Sequence, residues 1–135
     1  MAPKITGIAH VELSVTDLDR SVEWYCRLLG AHDAWRGTNE ERGFRACAIV
    51  EPETRTVLAF TEHESAKRVA FSPLVPGLDH LSFRVADRAA VEAWAAWMDE
   101  LGIARDPIDD QGFAVAVNLR DPDGIALEFY VLLPR

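Results

Sequence analysis

Cysteine is scarce in this chain. Cys26 and Cys47 are the only two, and they form no CxxC spacing. A disulfide framework needs more paired cysteines than this, so the sequence excludes one. Cys26 falls within a helical pattern and Cys47 within a strand pattern, which is typical of a protein from a reducing compartment.

Positive charge and long apolar runs are also lacking. Lys and Arg number 14 against 22 Asp and Glu, for a net charge of −8. Such a balance repels phosphate backbones and anionic lipid, so we expect neither nucleic acid nor membrane as a partner. No window approaches eighteen uninterrupted apolar residues, and the N-terminal MAPKITGIAH has no signal-like apolar stretch. We therefore expect a cytoplasmic protein.

The chain does contain enough apolar residues for a packed core. Of its 135 residues, 49% are hydrophobic and 27% are charged. This composition is typical of a globular protein, and the length suits one domain. We expect residues 1–135 to form that single domain.

A repeated pattern organises the chain. GIAH at 7–10 and GLDH at 77–80 each lead into an alternating strand and then a helical pattern. The first strand is predicted over 5–15, followed by a helix that Thr16 or Asp17 caps and that ends at Gly30. In the second copy, Asp87 is predicted to cap the helix, and Leu101 and Gly102 to close it. The equivalent pairs are His10 and His80, Asp17 and Asp87, and Trp24 and Trp94, with one constant shift: 80 − 10 = 87 − 17 = 94 − 24 = 70.

Further strands follow each helix. They are predicted over 44–50 and 56–61 in the first half and over 113–119 and 125–132 in the second. Module one therefore spans about 5–62, a linker about 63–76, and module two about 77–133. Neither module has enough apolar surface to fold alone. The sequence predicts an α+β fold in which the two half-sheets form a curved mixed sheet around a cavity, with the helices outside.

Strand parity suggests a metal site in that cavity. Glu128 lies on the same face of the last strand as Ala126 and Tyr130, and neighbouring strands are about 4.8 Å apart, so Glu128 can reach His80 if their strands are adjacent. The repeat can bring His10 to the same point. Two imidazoles and one carboxylate form the facial triad typical of Fe(II), which Mn, Zn, Ni or Co also use. We predict one divalent ion on His10, His80 and Glu128.

Simpler interpretations of these residues remain open. A lone strand histidine usually makes an ordinary hydrogen bond, and Glu128 could form an ion pair with Arg84 or Arg120. Glu12 could neutralise Arg84 or accept a hydrogen bond from a metal-bound imidazole. Tyr130 could donate to a substrate oxygen or simply pack.

Several aromatic residues are candidates for substrate contact. Trp35 and Phe44 flank a segment, RGTNEERG at 36–43, that we expect to be a charged loop, and the two rings could close over the cavity. Phe113 begins a strand beside a second loop. Together they favour an apolar or planar ligand.

The motifs resemble those of the vicinal oxygen chelate superfamily, which includes glyoxalases, bleomycin resistance proteins, fosfomycin resistance transferases and extradiol dioxygenases. The resemblance covers 7–132 and depends on IAHVELSVTDLDRSVEWYCRLLG at 8–30, LDHLSFRV at 78–85 and DPDGIALEFY at 121–130. It implies paired βαβββ modules, often in a homodimer, and a divalent metal chelated by two vicinal oxygens of a small-molecule substrate. The family's ligand positions fall on His10, His80 and Glu128.

The chain also departs from particular members of that superfamily. Aligning TVLAFT with IALEFY places Ala59 opposite Glu128, where glyoxalase I carries a fourth ligand, a glutamate. Extradiol dioxygenases typically have a catalytic tyrosine at the position of Asn118 and an acid–base histidine near Ala59. No basic cluster near the C-terminus matches a phosphonate site. We take Ala59 and Asn118 as substrate-facing positions.

Two classes of function are therefore expected to compete. One is a metal-dependent enzyme of lyase, isomerase, transferase or dioxygenase type, in which the ion polarises vicinal oxygens of the substrate. The other is a metal-free protein that sequesters a drug or antibiotic, as bleomycin resistance proteins do. The histidine and glutamate triad favours the enzyme.

Overall fold

The computed structural model describes residues 1–134 and divides the chain into two compact units, Met1–Arg68 and Val69–Arg135. The division falls within the predicted linker at 63–76. No helix among the described residues is both long and apolar enough to cross a membrane. That both units belong to one domain stays a prediction.

The first unit contains one helix and four strands. They are β1 (Val11–Ser14), α1 (Leu18–Leu29), β2 (His32–Asn39), β3 (Phe44–Val50) and β4 (Val57–His63). The strand order in the sheet is β1-β4-β3-β2. β1 runs parallel to β4, and the other pairs are antiparallel.

The second unit repeats this arrangement. Its elements are β5 (Leu81–Arg84), α2 (Arg88–Leu101), β6 (Asp109–Asp110), β7 (Ala114–Arg120) and β8 (Ala126–Leu132). The strand order is β5-β8-β7-β6, with β5 parallel to β8. The predicted α+β class, with two βαβββ modules and mixed sheets, is confirmed.

Both helices begin and end where the sequence predicts. The side chain of Asp17 accepts a hydrogen bond from the backbone N–H of Arg20 at 3.0 Å, and α1 ends at Gly30 with φ 63°. Asp87 caps α2 in the same way, and Gly102 ends it. A capping carboxylate satisfies a free N–H group, and glycine adopts the left-handed conformation without strain.

Each helix packs on one face of its sheet, so the core of each unit lies there. In the second unit the ring of Trp94 stacks on the buried ring of Phe129, with centroids 4.0 Å apart. In the first unit Tyr25 packs on Phe60, 4.7 Å away. Because side chains alternate along a strand, Glu128 projects from the face opposite Phe129.

Two predictions of the sequence are wrong at the first strand and the first loop. The first strand was expected over 5–15, but β1 spans only Val11–Ser14 because only these residues pair with β4. The segment 36–43 was expected to be a loop, but its first half belongs to β2. β2 is an edge strand with mostly exposed side chains, so it shows no apolar alternation.

Candidate functional site

His80 and Glu128 lie side by side in the second unit. His80 directly precedes β5, and Ser82 on β5 is in register with Glu128 on β8. His80 Nε2 is 3.4 Å from Glu128 Oε1. Parallel pairing of β5 with β8 therefore brings together two residues that are far apart in sequence.

Asp79 fixes the orientation of the His80 ring. His80 Nδ1 donates a hydrogen bond to Asp79 Oδ1 at 2.6 Å, so Nε2 is left free to act as a ligand. The carboxylate of Asp79 raises the pKa of His80, and Glu128 adds to the effect, while partial burial opposes it. Carboxylate support of this kind is typical of metal-binding histidines. The sequence reasoning overlooked Asp79, although an acidic residue next to the candidate histidine was visible in GLDH.

The geometry of this pair fits a divalent metal. Ligand atoms about 2.1 Å from one ion, at octahedral or tetrahedral angles, are about 3.0 to 3.4 Å from each other. The Nε2 to Oε1 distance of 3.4 Å lies at the upper end of that range. An imidazole nitrogen and a carboxylate oxygen are also the donors that Fe, Mn and Zn accept.

The DPDG motif positions the strand that carries Glu128. The buried carboxylate of Asp121 accepts hydrogen bonds from the backbone N–H groups of Asp123 and Ile125, each at 2.8 Å. Gly124 completes the turn with φ 80°, a left-handed conformation that favours glycine. The motif therefore acts here as the turn that starts β8.

The first unit carries a second pair of a histidine and a carboxylate. His10 directly precedes β1, as His80 precedes β5, and His10 Nε2 is 3.8 Å from Glu12 Oε2. The other oxygen of Glu12 accepts a hydrogen bond from the hydroxyl of Thr61 on β4. Glu12 is in register with Ala59, so Ala59 occupies the place in its sheet that Glu128 occupies in the other.

Three candidate substrate contacts lie near the two histidine and carboxylate pairs: Asn118 and Tyr130 in the second unit, and Ala59 in the first. Asn118 on β7 is directly opposite Glu128, and Tyr130 follows Glu128 by two residues; both are half-buried. Ala59 is buried. These three candidate substrate contacts are therefore close neighbours of the two histidine and carboxylate pairs within their own sheets.

The three other aromatic candidates differ in exposure. Trp35 is 57% exposed, and its ring lies over Gly37, where a Cβ atom would be only 2.4 Å from ring carbons. Phe44 is half-buried and packs edge-on against His63, with centroids 5.6 Å apart. Phe113 is 59% exposed and precedes β7.

The sequence left open an ion pair of Glu128 with Arg84 or with Arg120, and neither is present within residues 1–134. The ionic partner of Glu128 there is His80. Among residues 1–134, neither unit by itself contains three clustered His, Cys, Asp or Glu side chains that could hold a metal.

Cys47 is a buried cysteine in the first unit. Burial raises the pKa of its thiol to about 11, so Cys47 is not a thiolate nucleophile at neutral pH.

Comparison with known proteins places the chain in a family. Residues 7–129 match the sequence model of the glyoxalase/bleomycin resistance protein/dioxygenase superfamily, and the chain belongs to it. Members commonly use a divalent metal such as Mn or Fe, typically act on small molecules, and are often dimeric.

Three relatives illustrate the range of this family. A glyoxylase/bleomycin resistance protein/dioxygenase domain from Frankia sp. EAN1pec is 30% identical, with a TM-score of 0.85, over 96% of this chain and all of that one. A catechol-2,3-dioxygenase from Bacillus subtilis is 28% identical over 96% of this chain, but this chain spans only 43% of its length. A trivalent organoarsenical cleaving enzyme from Thermomonospora curvata is 31% identical over 91% of this chain and 76% of its own.

Proposed function

We propose that this protein is a divalent-metal-dependent vicinal oxygen chelate enzyme in which His10, His80 and Glu128 hold the ion. The observation that carries the proposal is the 3.4 Å approach of His80 Nε2 to Glu128 Oε1, with Asp79 on the opposite ring nitrogen. An ion pair alone does not require that second support. His10 occupies the equivalent place before β1, so it is the natural third ligand.

The chain's own residues have distinct roles in this proposal. A divalent ion, which could be Fe, Mn, Zn, Ni or Co, supplies Lewis-acid chemistry toward two oxygens of a small substrate. Asp79 keeps the His80 proton on Nδ1, and Asn118 and Tyr130 flank Glu128 with hydrogen-bonding groups for the substrate. We propose a homodimer that acts in the cytoplasm.

The type of reaction is left open among lyase, isomerase, transferase and dioxygenase. Two relatives bear names of enzymes that cleave bonds: the catechol-2,3-dioxygenase and the organoarsenical cleaving enzyme. Both names support turnover over passive binding. Asn118 and Ala59 stand where extradiol enzymes have a tyrosine and a histidine, which disfavours ring cleavage by that mechanism.

A metal-free binding protein is the second candidate. The observation that favours it is Trp35, an exposed ring that lies next to Gly37 on an edge strand. An aromatic ring in such a position can stack on a planar ligand. Phe44 and Phe113 provide further apolar surface for a drug or antibiotic.

Metal analysis of untagged protein separates the two candidates. We expect about one divalent ion per chain in the wild type, and His80→Ala should lose it because two remaining ligands form a weak chelate. His32→Ala is the matched control, since His32 is an exposed histidine at the start of β2. A wild type that takes up no metal, yet binds aromatic compounds tightly, would favour the second candidate.

A further inference from the structure

The two cysteines of the chain lie on elements that pack against each other within the first unit. Cys26 is on α1 and Cys47 is on β3, and both are free thiols. Two cysteines make no disulfide framework, but one pair is enough for a disulfide that forms and breaks with the redox conditions. Disulfides of intracellular proteins are usually of that transient kind.

The register of the sheet turns the side chain of Cys47 toward α1. Cys47 is directly opposite Phe60 on β4, and residues opposite each other project from the same face of a sheet. Phe60 projects toward the helix, since its ring packs on Tyr25 of α1 with the centroids 4.7 Å apart. Cys47 is fully buried on that face, so its thiol lies in the layer between β3 and α1.

Cys26 lies at the margin of the helix face that covers this layer. It follows the buried Tyr25 directly and comes four positions after Val22, which is also buried. Residues four positions apart lie on the same side of a helix. Cys26 itself is half-buried, so a small oxidant can reach its sulfur from solvent.

The two thiols share one charged neighbour on β2. Arg36 is directly opposite Cys47, and its Nε donates a hydrogen bond to Asp33 at 2.6 Å. Burial raises the pKa of Cys26, and the carboxylate of Asp33 adds to the effect. Burial also raises the pKa of Cys47, and both Asp33 and the charge of Cys26 add to it. These mutual effects agree with the placement by face and register: the two sulfurs are neighbours.

We propose that Cys26 and Cys47 form a reversible disulfide that joins α1 to β3 when a small-molecule disulfide oxidises the protein. The thiolate of Cys26 attacks glutathione disulfide, forms a mixed disulfide and releases one glutathione thiolate. Cys47 then gives up its proton, attacks the sulfur of Cys26 and releases the second glutathione. The protein loses two protons and two electrons, and one glutathione disulfide becomes two thiols.

The cross-link closes the segment 26–47 into a loop that contains the whole of β2. A disulfide that fits the native fold stabilises it, in the usual account by constraining the unfolded chain. The oxidised protein should therefore unfold at a higher urea concentration than the reduced protein. This switch is independent of the proposed metal site, because neither cysteine is among its ligands.

Treatment of the folded protein with glutathione disulfide, followed by alkylation and mass spectrometry, tests the proposal. The wild type should lose the mass of two hydrogen atoms and accept no alkylating reagent, and dithiothreitol should reverse both changes. Trypsin cleaves after Arg27 and Arg45, so the disulfide should join two otherwise separate peptides. Because the pKa of each thiol is raised, the reaction should be slow at neutral pH and faster in alkaline buffer.

Two single variants test the order of the steps. Cys47→Ala should stop at the mixed disulfide and gain the mass of one glutathione, because no second thiol is present to displace it. Cys26→Ser should remain unmodified under the same conditions, because Cys47 is fully buried. Circular dichroism checks that each variant folds, and Cys26→Ser, at the half-buried position, decides the order of steps if Cys47→Ala does not fold.

A comparison of folded and unfolded protein shows whether the native structure brings the two sulfurs together. In glutathione buffers the disulfide should be favoured at least about 10-fold more in folded protein than in urea, and the urea midpoint should rise on oxidation. The proposal is overturned by wild-type protein that stays unmodified, that stops at the mixed disulfide, or that forms a disulfide between two chains. Equal preference for the disulfide in folded and unfolded protein overturns it as well.

Discussion

His80 Nε2 approaches Glu128 Oε1 to 3.4 Å, although 48 positions separate the two residues in the sequence (128 − 80 = 48). Parallel pairing of β5 with β8 creates this contact, and the Asp121 turn sets where β8 begins. The site in this unit is thus built from one strand pairing and one turn, with Asp79 orienting the imidazole.

Asp79→Asn tests the role of the residue behind His80. Loss of the carboxylate acceptor should weaken metal binding about 10- to 100-fold without changing the stoichiometry, because the imidazole loses orientation and basicity while all ligands remain. The measurement is competition of the protein with a chelator for Co(II). Asp106→Asn removes an exposed carboxylate from the same unit and should leave affinity unchanged. Equal affinity of Asp79→Asn and wild type would show that Asp79 plays no part in metal binding.

The elements that the sequence predicted well are those with a local signal. A carboxylate that caps a helix N-terminus, and a glycine that ends a helix in the left-handed conformation, are both visible in the sequence. Both helices could therefore be bounded from Asp17 and Gly30, and from Asp87 and Gly102. The repeat of 70 residues then identified the corresponding strands. The equivalence of Ala59 and Glu128 came from aligning TVLAFT with IALEFY, one residue short of that shift (128 − 59 = 69), and the register of the two sheets agrees with it.

The elements that the sequence missed depend on partners elsewhere in the chain. The side chains of β2 are mostly exposed on both faces, so its residues show no apolar alternation, and its pairing with β3 makes it a strand. Residues 5–10 were included in the first predicted strand, yet none of the strands within residues 1–134 pairs with them. The hydrogen bond from Thr61 to Glu12 joins two strands, so no local pattern could have indicated it.

Phe129→Ala is expected to destabilise the protein by about 3–5 kcal/mol. The ring is almost fully buried and stacks on Trp94 at 4.0 Å, so truncation removes apolar contact and leaves a cavity against α2. Urea unfolding followed by circular dichroism measures the change. Phe113→Ala, at an exposed ring, should cost less than about 1 kcal/mol. Similar losses for the two variants would contradict the core assigned to this unit.

Asp99 should contribute to the acid sensitivity of the fold. Arg105 donates two hydrogen bonds to its carboxylate, both at 2.9 Å, and lowers the pKa of Asp99, while desolvation opposes this. Because the folded pKa lies below the unfolded value, the contribution is fully present above the unfolded pKa, about 3.9, and is lost as pH falls through the folded pKa. Asp99→Asn should therefore lose less stability than wild type on acidification to below about pH 4.

Urea midpoints at a series of pH values measure this difference. Glu100→Gln, which removes the adjacent exposed carboxyl, is the control and should follow the wild-type curve. The two curves of Asp99→Asn and wild type should differ at neutral pH and converge in acid. Curves that stay parallel over the whole range would contradict a contribution from the lowered pKa.

Gly37→Ala should move the ring of Trp35 while leaving the fold intact. A Cβ atom at Gly37 would be 2.4 Å from two ring carbons of Trp35, so the ring must shift. The ring is at the exposed end of its side chain, and Gly37 does not have a positive φ, so we expect a stability change below about 1 kcal/mol. Tryptophan fluorescence should change in Gly37→Ala, and the change should vanish when the substitution is made in a Trp35→Phe background.

If Trp35 also contacts the ligand, Gly37→Ala should weaken binding of planar aromatic compounds and leave the Co(II) dissociation constant unchanged. Unaltered fluorescence in Gly37→Ala would show that the ring does not rest on Gly37 in solution.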